Sequence, residues 1–203
     1  MTTQQLNKYL GNIDLYLLDQ ILKENVDPKS KILDAGCGEG RNLIYFLNHG
    51  FDVYGMDQNE EAIRMLQFII GSNYSHYTKD RFQIGKLSKL SYNDDEFDYI
   101  ICSAVLHFAQ SENHFWQMIR ELNRVLQPNG TLFIRMASDI GLQGHESLSD
   151  GRYSLPDGSQ RFLITEGMIS TFINDYNYTR IEPVKTVNVE NQRCMTTLVL
   201  KKK

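Results

Sequence analysis

The sequence predicts an α/β fold with a doubly wound, mostly parallel sheet closed by an antiparallel hairpin at its C-terminal end. Three observations carry this. First, the apolar run Lys31–Asp34 enters a glycine-rich turn with glycines at 36, 38 and 40. Second, apolar strands alternate with amphipathic helices from there to Ala137, which calls for parallel strands joined by crossovers. Third, two β-rich stretches, Tyr178 to Val189 and Cys194 to Leu200, follow the last helix with only a short polar turn between them.

In chain order, Leu6, Leu10, Ile13, Leu17, Ile21 and Leu22 recur at helical spacing. They predict a helix or helix pair with a break at Gly11-Asn12, closed by Asp27-Pro28. Residues 1–27 form a helical cover in this reading, either packed on the sheet or lying over a ligand with Tyr9 and Tyr16 facing it. After the glycine loop, a helix is expected to open at Arg41 and Asn42 and bury Leu43, Ile44, Phe46 and Leu47, with Gly50 as its stop. Phe51 to Met56 is the second strand, ending at Asp57. A helix from Glu60 to Ile70 turns Ala62, Ile63 and Leu66 inward and stops at Gly71. Arg81 to Gly85 is the third strand, and Phe97 to Ser103 the fourth, continuously apolar as a doubly covered strand should be.

Ser111 can cap a helix burying Phe115, Met118, Ile119, Leu122, Val125 and Leu126. Pro128-Asn129-Gly130 makes a turn before the fifth strand, Thr131 to Ala137. Residues 138–164 are a long, polar, glycine-rich insertion. Within it, Pro156-Asp157-Gly158-Ser159 between alternating residues signals a hairpin. Such insertions at a strand's carboxyl end tend to be functional. Thr165 caps a last helix.

The chain of 203 residues suits a single domain, 1–203. A net charge of -4 gives no basic field to hold nucleic acid. No apolar run approaches the ~20 residues of a membrane span, and the polar N-terminus does not read as a secretory signal. Three widely spaced cysteines, Cys37, Cys102 and Cys194, argue for a reducing, cytoplasmic setting and for small buried thiols. The five histidines show no metal-ligand spacing, so no metal is implied. Oligomeric state is left open.

A strand, a glycine loop and a helix start make a nucleotide-type site at the carboxyl edge of a sheet. A dinucleotide fold requires G-x-G-x-x-G, whereas Arg41 stands at the third position here. The loop reads Asp34-Ala35-Gly36-Cys37-Gly38-Glu39-Gly40. Three further features accompany it: Asp57 at the end of strand two, Asp95-Glu96-Phe97-Asp98-Tyr99-Ile100, and Arg124-Val125-Leu126-Gln127-Pro128-Asn129-Gly130. Together they resemble the class I S-adenosylmethionine-dependent methyltransferases over Lys31 to about Met136. The resemblance implies a seven-stranded sheet in the order 3-2-1-4-5-7-6. It also implies S-adenosylmethionine as cofactor and S-adenosylhomocysteine as product. The run GCGEGRN is similar to the small-molecule branch that includes the tellurite-resistance methyltransferases.

On that resemblance the cofactor-binding candidates are Asp34, Gly36, Cys37, Gly38, Gly40, Arg41, Asn42, Asp57, Gln58, Leu87 and Ser103. Asp57 suits a bidentate hold on the ribose hydroxyls. Asp34 orients the loop or receives the methionine ammonium through water. Arg41 and Asn42 meet the carboxylate or simply start the helix. Many relatives carry an acid after strand three to accept from the adenine amino group. Gly85-Lys86 stands there instead, and a lysine cannot accept. Lys86 is therefore expected to face solvent, leaving the Leu87 amide for the adenine ring. His107 is the candidate general base, with a packed core histidine as the alternative. Tyr9, Tyr16, Arg135, Arg152 and Tyr153 are the acceptor candidates. Together with Arg161 and Arg193, the arginines would suit an anionic small molecule. The competing readings are a nicotinamide-dependent oxidoreductase and a non-catalytic S-adenosylmethionine-binding module.

Overall fold

A computed structural model describes residues 1–143 and 145–203; Gly144, inside the expected insertion, lies outside the described residues. The core strands are β1 (Lys31–Ala35), β2 (Asp52–Asp57), β3 (Phe82–Ile84), β4 (Phe97–Ser103) and β5 (Leu126–Ser138). A separate three-stranded antiparallel sheet holds β6 (Glu146–Ser149), β7 (Arg152–Ser154) and β8 (Gln160–Phe162). The chain ends in β9 (Tyr178–Arg180), β10 (Lys185–Val189) and β11 (Arg193–Lys202). The main sheet runs β10-β11-β5-β4-β1-β2-β3, with β9 also paired to β11. β1 to β5 are mutually parallel and the terminal strands antiparallel. This is the expected order, with one difference. The sixth strand is in two pieces, β9 and β10, which makes the sheet eight-stranded. Pro183 sits in the gap; it has no amide for the ladder and interrupts what the sequence suggested as one strand.

The helices are α1 (Thr3–Leu10), α2 (Leu15–Leu22), α3 (Ile44–Asn48), α4 (Glu60–Asn73), α5 (Glu112–Val125) and α6 (Glu166–Asp175). Strand residues alternate between faces. Ile100 and Cys102 of β4 join the core packed by α5 and α6, while Tyr99 and Ile101 join the core packed by α2, α3 and α4. Both faces are therefore covered, and the apolar continuity of β4 follows from that.

Three boundaries differ from expectation. The helix after the glycine loop begins only at Ile44, because the positive φ of Gly38 (53°) and Gly40 (86°) keeps that stretch in turns. Gly71 does not stop α4. It lies in the last turn, where a Cβ would meet Lys79 Cε at 2.6 Å. The Pro128-Asn129-Gly130 turn is a bulge inside β5: Phe97 pairs with Leu126 and Tyr99 with Thr131, leaving extra residues on one side. Ser111 and Thr165 cap their helices as anticipated, accepting from His114 N at 3.1 Å and Met168 N at 3.1 Å.

Candidate active site

The carboxyl ends of β1, β2, β3 and β4 meet at one edge and open a cavity of ≈ 690 Å³. That lies within the roughly 300–1,000 Å³ of small-molecule and cofactor sites. Its wall takes Gly36 from the β1 turn, Asp57 and Gln58 from the end of β2, and Gly85, Lys86 and Leu87 beyond β3. Ala104, Val105 and Phe108 come from the segment after β4, and His114 and Met118 from α5. Ala104 and Val105 lie in the Ser103–His107 segment that the family resemblance placed at this edge, whereas Phe108, His114 and Met118 carried no motif and sequence reasoning missed them. Their only signal was their place after a strand that ends at this edge.

The glycine turn is held by β2. Asp57 Oδ2 accepts from Gly38 N at 2.8 Å, and Oδ1 accepts from Asn59 N at 2.8 Å. Gly36 (φ 88°) is pressed against Val105, whose methyl a Cβ would overlap, so the backbone approach there needs glycine. Space in front of Gly38 is open. Gly40 faces Leu66 at 2.6 Å from its would-be Cβ and so serves packing on α4 rather than the cavity. Cys37 is likewise buried; burial pushes its thiol well above the ordinary range, and its Sγ points to Gly38 O at 3.7 Å.

Asp34 is 1% exposed, and neither of its carboxylate oxygens has a hydrogen-bond partner. Burial raises its carboxyl from 3.8 to about 7, opposed by Arg41 and reinforced by Asp57. A buried acid without a partner is costly, and Asp34 stands behind the cavity rather than among its lining residues.

Behind the turn stands a residue the sequence did not single out. Asp14, the N-cap of α2, is buried between the sheet edge and the N-terminal segment. Its Oδ2 accepts from Ser103 Oγ at 2.9 Å and lies 3.4 Å from Arg135 Nη1 and 3.7 Å from Arg41 Nη2. Its amide donates to Asn42 Oδ1 at 3.0 Å. Arg41 also reaches Ser103 Oγ at 3.3 Å. Arg41, Asn42 and Ser103, expected around the methionine part, are thus engaged in tying residues 12–15 to the sheet, and none of them lines the cavity.

The acceptor candidates divide. Tyr9 packs on α3, its hydroxyl 2.5 Å from His49 Nε2, and lines neither this cavity nor the next one. Tyr16 lies under the Arg135 guanidinium, 5.4 Å from ring centroid to Cζ. Tyr153 packs against His145 and the small Leu142–Leu155 cluster. Arg152 reaches Gln110 at 3.5 Å on the cavity rim. Arg135 lines a second cavity of ≈ 270 Å³, with Ala104, His107, Arg161 and Arg193 among its walls. Ala104 belongs to both cavities. It sits in the left-handed region (φ 63°), where a non-glycine residue is strained, and its amide is held by Arg135 O at 2.7 Å.

His107 does not have the form of a general base. It is buried, and burial together with Arg161, Arg135 and Arg193 lowers it from 6.5 to about 4. Its Nδ1 accepts from Ala137 N at 3.3 Å, which puts the proton of the neutral ring on Nε2. The ring therefore offers a donor, not an acceptor.

Lys86 is exposed at the cavity rim, as expected, and Leu87 beside it is buried. Lys86→Ala should accordingly change S-adenosylhomocysteine affinity by less than about threefold, on the scale of an exposed contact. A titration showing a large loss with an intact circular dichroism spectrum would give the lysine a direct role in binding.

Residues 33–134, half of the chain, match the family model described as a methyltransferase domain. The chain belongs to this methyltransferase family, whose methyl donor is S-adenosylmethionine. The matched span agrees with the motif-bearing region, Lys31 to about Met136. Among curated proteins it is 27% identical over 120 residues to the candidate methyltransferase YqeM of Bacillus subtilis (strain 168), 59% of this chain and 47% of that one. The chain spans about half the length of the first curated relatives it matches. Its fold superposes on the PH0226 protein of Pyrococcus horikoshii OT3 with a TM-score of 0.73 at 20% identity, covering 97% and 96% of the two chains. It superposes on 1,6-didemethyltoxoflavin-N1-methyltransferase of Burkholderia thailandensis with a TM-score of 0.67 at 18% identity, covering 98% and 82%. These likenesses show the fold. Nothing in the cavity favours the nicotinamide reading.

The residues present are compatible with the cofactor: Gly36 and Asp57 line the cavity, the front of Gly38 is open, and Asp34, an unpartnered buried acid, stands behind that lining. Among the described residues no His, Cys, Asp or Glu cluster could hold a metal, and no helix is long and apolar enough to cross a membrane.

Proposed function

We propose that this chain is an S-adenosylmethionine-dependent methyltransferase whose acceptor is a small molecule seated in the 270 Å³ cavity. The observation that carries the reading is Ala104, shared by a large cavity lined with the family's cofactor positions and a smaller one beside it. Asp57 holds the ribose hydroxyls, Asp34 faces the ammonium, and the amide of buried Leu87 serves the adenine ring. The cofactor supplies a methyl group on a sulfonium, a leaving group good enough that alignment and exclusion of water carry much of the acceleration. No base is assigned; His107 supplies a hydrogen-bond donor at the floor of the acceptor cavity. A non-catalytic binding module would have this space sealed by side chains, whereas it is open. The relative from Burkholderia thailandensis, whose structure holds 1,6-didemethyltoxoflavin and S-adenosylhomocysteine, supports a small acceptor by analogy. The net charge of -4 disfavours nucleic acid, and a cytoplasmic setting goes with the three buried free thiols.

The test is transfer of a labelled methyl group from S-adenosylmethionine in the presence of a cell extract. Label recovered in the low-mass pool is expected. Label recovered only in protein or nucleic acid would contradict the small-molecule reading.

A further inference from the structure

The smaller cavity collects three arginines from three parts of the chain. Arg135 comes from β5, Arg161 from β8 of the insertion, and Arg193 from the start of β11. They are not equally free. Arg135 is tied to Asp14 at 3.4 Å, and its buried Nε has no partner. Arg193 lies 3.8 Å from Asp157, a long contact, and Asp157 Oδ1 is already taken by the amide and hydroxyl of Ser159 at 2.9 and 2.6 Å. Arg161 rests 5.0 Å from the Phe108 ring and donates to Gln160 O at 2.8 Å. No carboxylate among the described residues pairs with it.

The cavity has a direction. Arg135 is in register with Ser103 on β4, next to Ala104 and the cofactor cavity. Cys194 is in register with Ser138, so Arg193 lies about four residues further along the β5 direction. At roughly 3.3 Å per residue its backbone stands on the order of 13 Å along the strand from that of Arg135. Ala104 thus adjoins the methyl donor's site, Arg193 is the arginine set furthest along β5 from Arg135, and Arg161 rests on Phe108, a residue of the larger cavity's wall.

Resting on the methyltransferase reading, we infer that the acceptor is a small monocarboxylate, anchored by Arg161 and Arg193, with its reacting atom directed toward Ala104. Guanidinium forks match a carboxylate in two parallel hydrogen bonds. Asp157 in the same wall offsets one of the cations, which suits a single negative charge better than the double charge of a phosphate monoester. The volume, below the roughly 300–1,000 Å³ of drug-sized pockets, limits the acceptor to a compact molecule. Arg135, the arginine in register next to Ala104, is paired with Asp14, so the reacting atom is not held by a free guanidinium, which would stabilise a nucleophile in the ground state.

The experiment is calorimetric titration of the full chain, saturated with S-adenosylhomocysteine, with benzoate, benzamide and inorganic phosphate as probes. Benzoate is expected to bind at least about tenfold more tightly than benzamide, the scale of one hydrogen bond to a charged group. The Arg161→Gln/Arg193→Gln protein is expected to lose that preference while binding S-adenosylhomocysteine as before. Equal binding of benzoate and benzamide, absence of benzoate binding, or phosphate binding more tightly than benzoate would each overturn the inference. Failure of S-adenosylhomocysteine itself to bind would instead overturn the methyltransferase reading, and is seen separately in the first titration.

Discussion

Asp57→Ala is expected to weaken S-adenosylhomocysteine binding by about 1.5–3 kcal/mol, roughly ten- to more than a hundredfold, the scale of hydrogen bonds to a charged acceptor. Both of its carboxylate oxygens already accept one amide each, from Gly38 and Asn59. Each has a further lone pair for a ribose hydroxyl. The substitution thus removes the ligand contacts and also frees the glycine turn from β2. Asp57→Asn separates the two effects, because its single carbonyl oxygen can keep the Gly38 bond but cannot hold two hydroxyls. An intermediate loss is expected for Asn. Unchanged affinity in Asp57→Ala would show that the ribose is held elsewhere.

The second large effect belongs to Asp34. An acid whose folded pKa is raised keeps a proton that the unfolded chain has already released. Its stabilising contribution is therefore complete below the unfolded value and is lost as pH climbs from about 4 to about 7. The shift from 3.8 to about 7 corresponds to about 4 kcal/mol as an order of magnitude. Asp34→Asn cannot ionise, so without cofactor it should be more stable than the parent at about pH 8, by up to that amount. Urea denaturation across the range would show the variant's stability advantage over the parent growing as pH rises from about 4 to about 7, the opposite gain from His107 between about 4 and 6.5 being common to both proteins. Cofactor affinity should respond in the opposite sense. If the ammonium pairs with the Asp34 carboxylate, affinity in the parent rises with pH through neutrality and flattens above it, whereas Asp34→Asn binds weakly throughout. A parent affinity independent of pH between about 5 and 8 would remove Asp34 from the cofactor's surroundings.

Much of the β1–β2 edge of this protein is legible in its sequence because it is local. Asp34 to Gly40 is one turn, Asp57 ends the neighbouring strand, and apolar continuity places both at the same sheet edge. The alternation and the terminal hairpin pointed to a parallel sheet closed by an antiparallel pair, and the strand order is the one the family resemblance implied. What could not be read depends on distant partners. Asp14 looks like a helix cap, and it is one. Its other oxygen meets Ser103, 89 positions away, and that contact ties the N-terminal segment to the sheet. Arg135, Arg161 and Arg193 are spaced irregularly, and only the insertion and the antiparallel last strand bring them to one cavity. Tyr9 misled because aromatic character at helical spacing does not say which neighbour the helix meets; here it is α3, through Tyr45 and His49. His107 sits close to where a base was sought, yet the Ala137 amide occupies the nitrogen that would have done the work.

The central claim is that the cavity at the β1–β4 edge is built for S-adenosylmethionine. Calorimetric titration of the unmodified chain with S-adenosylhomocysteine, beside NADH under identical conditions, tests it most directly. The account predicts saturable binding of S-adenosylhomocysteine at one site per chain and none of NADH. Saturable binding of NADH with no heat from S-adenosylhomocysteine would contradict it.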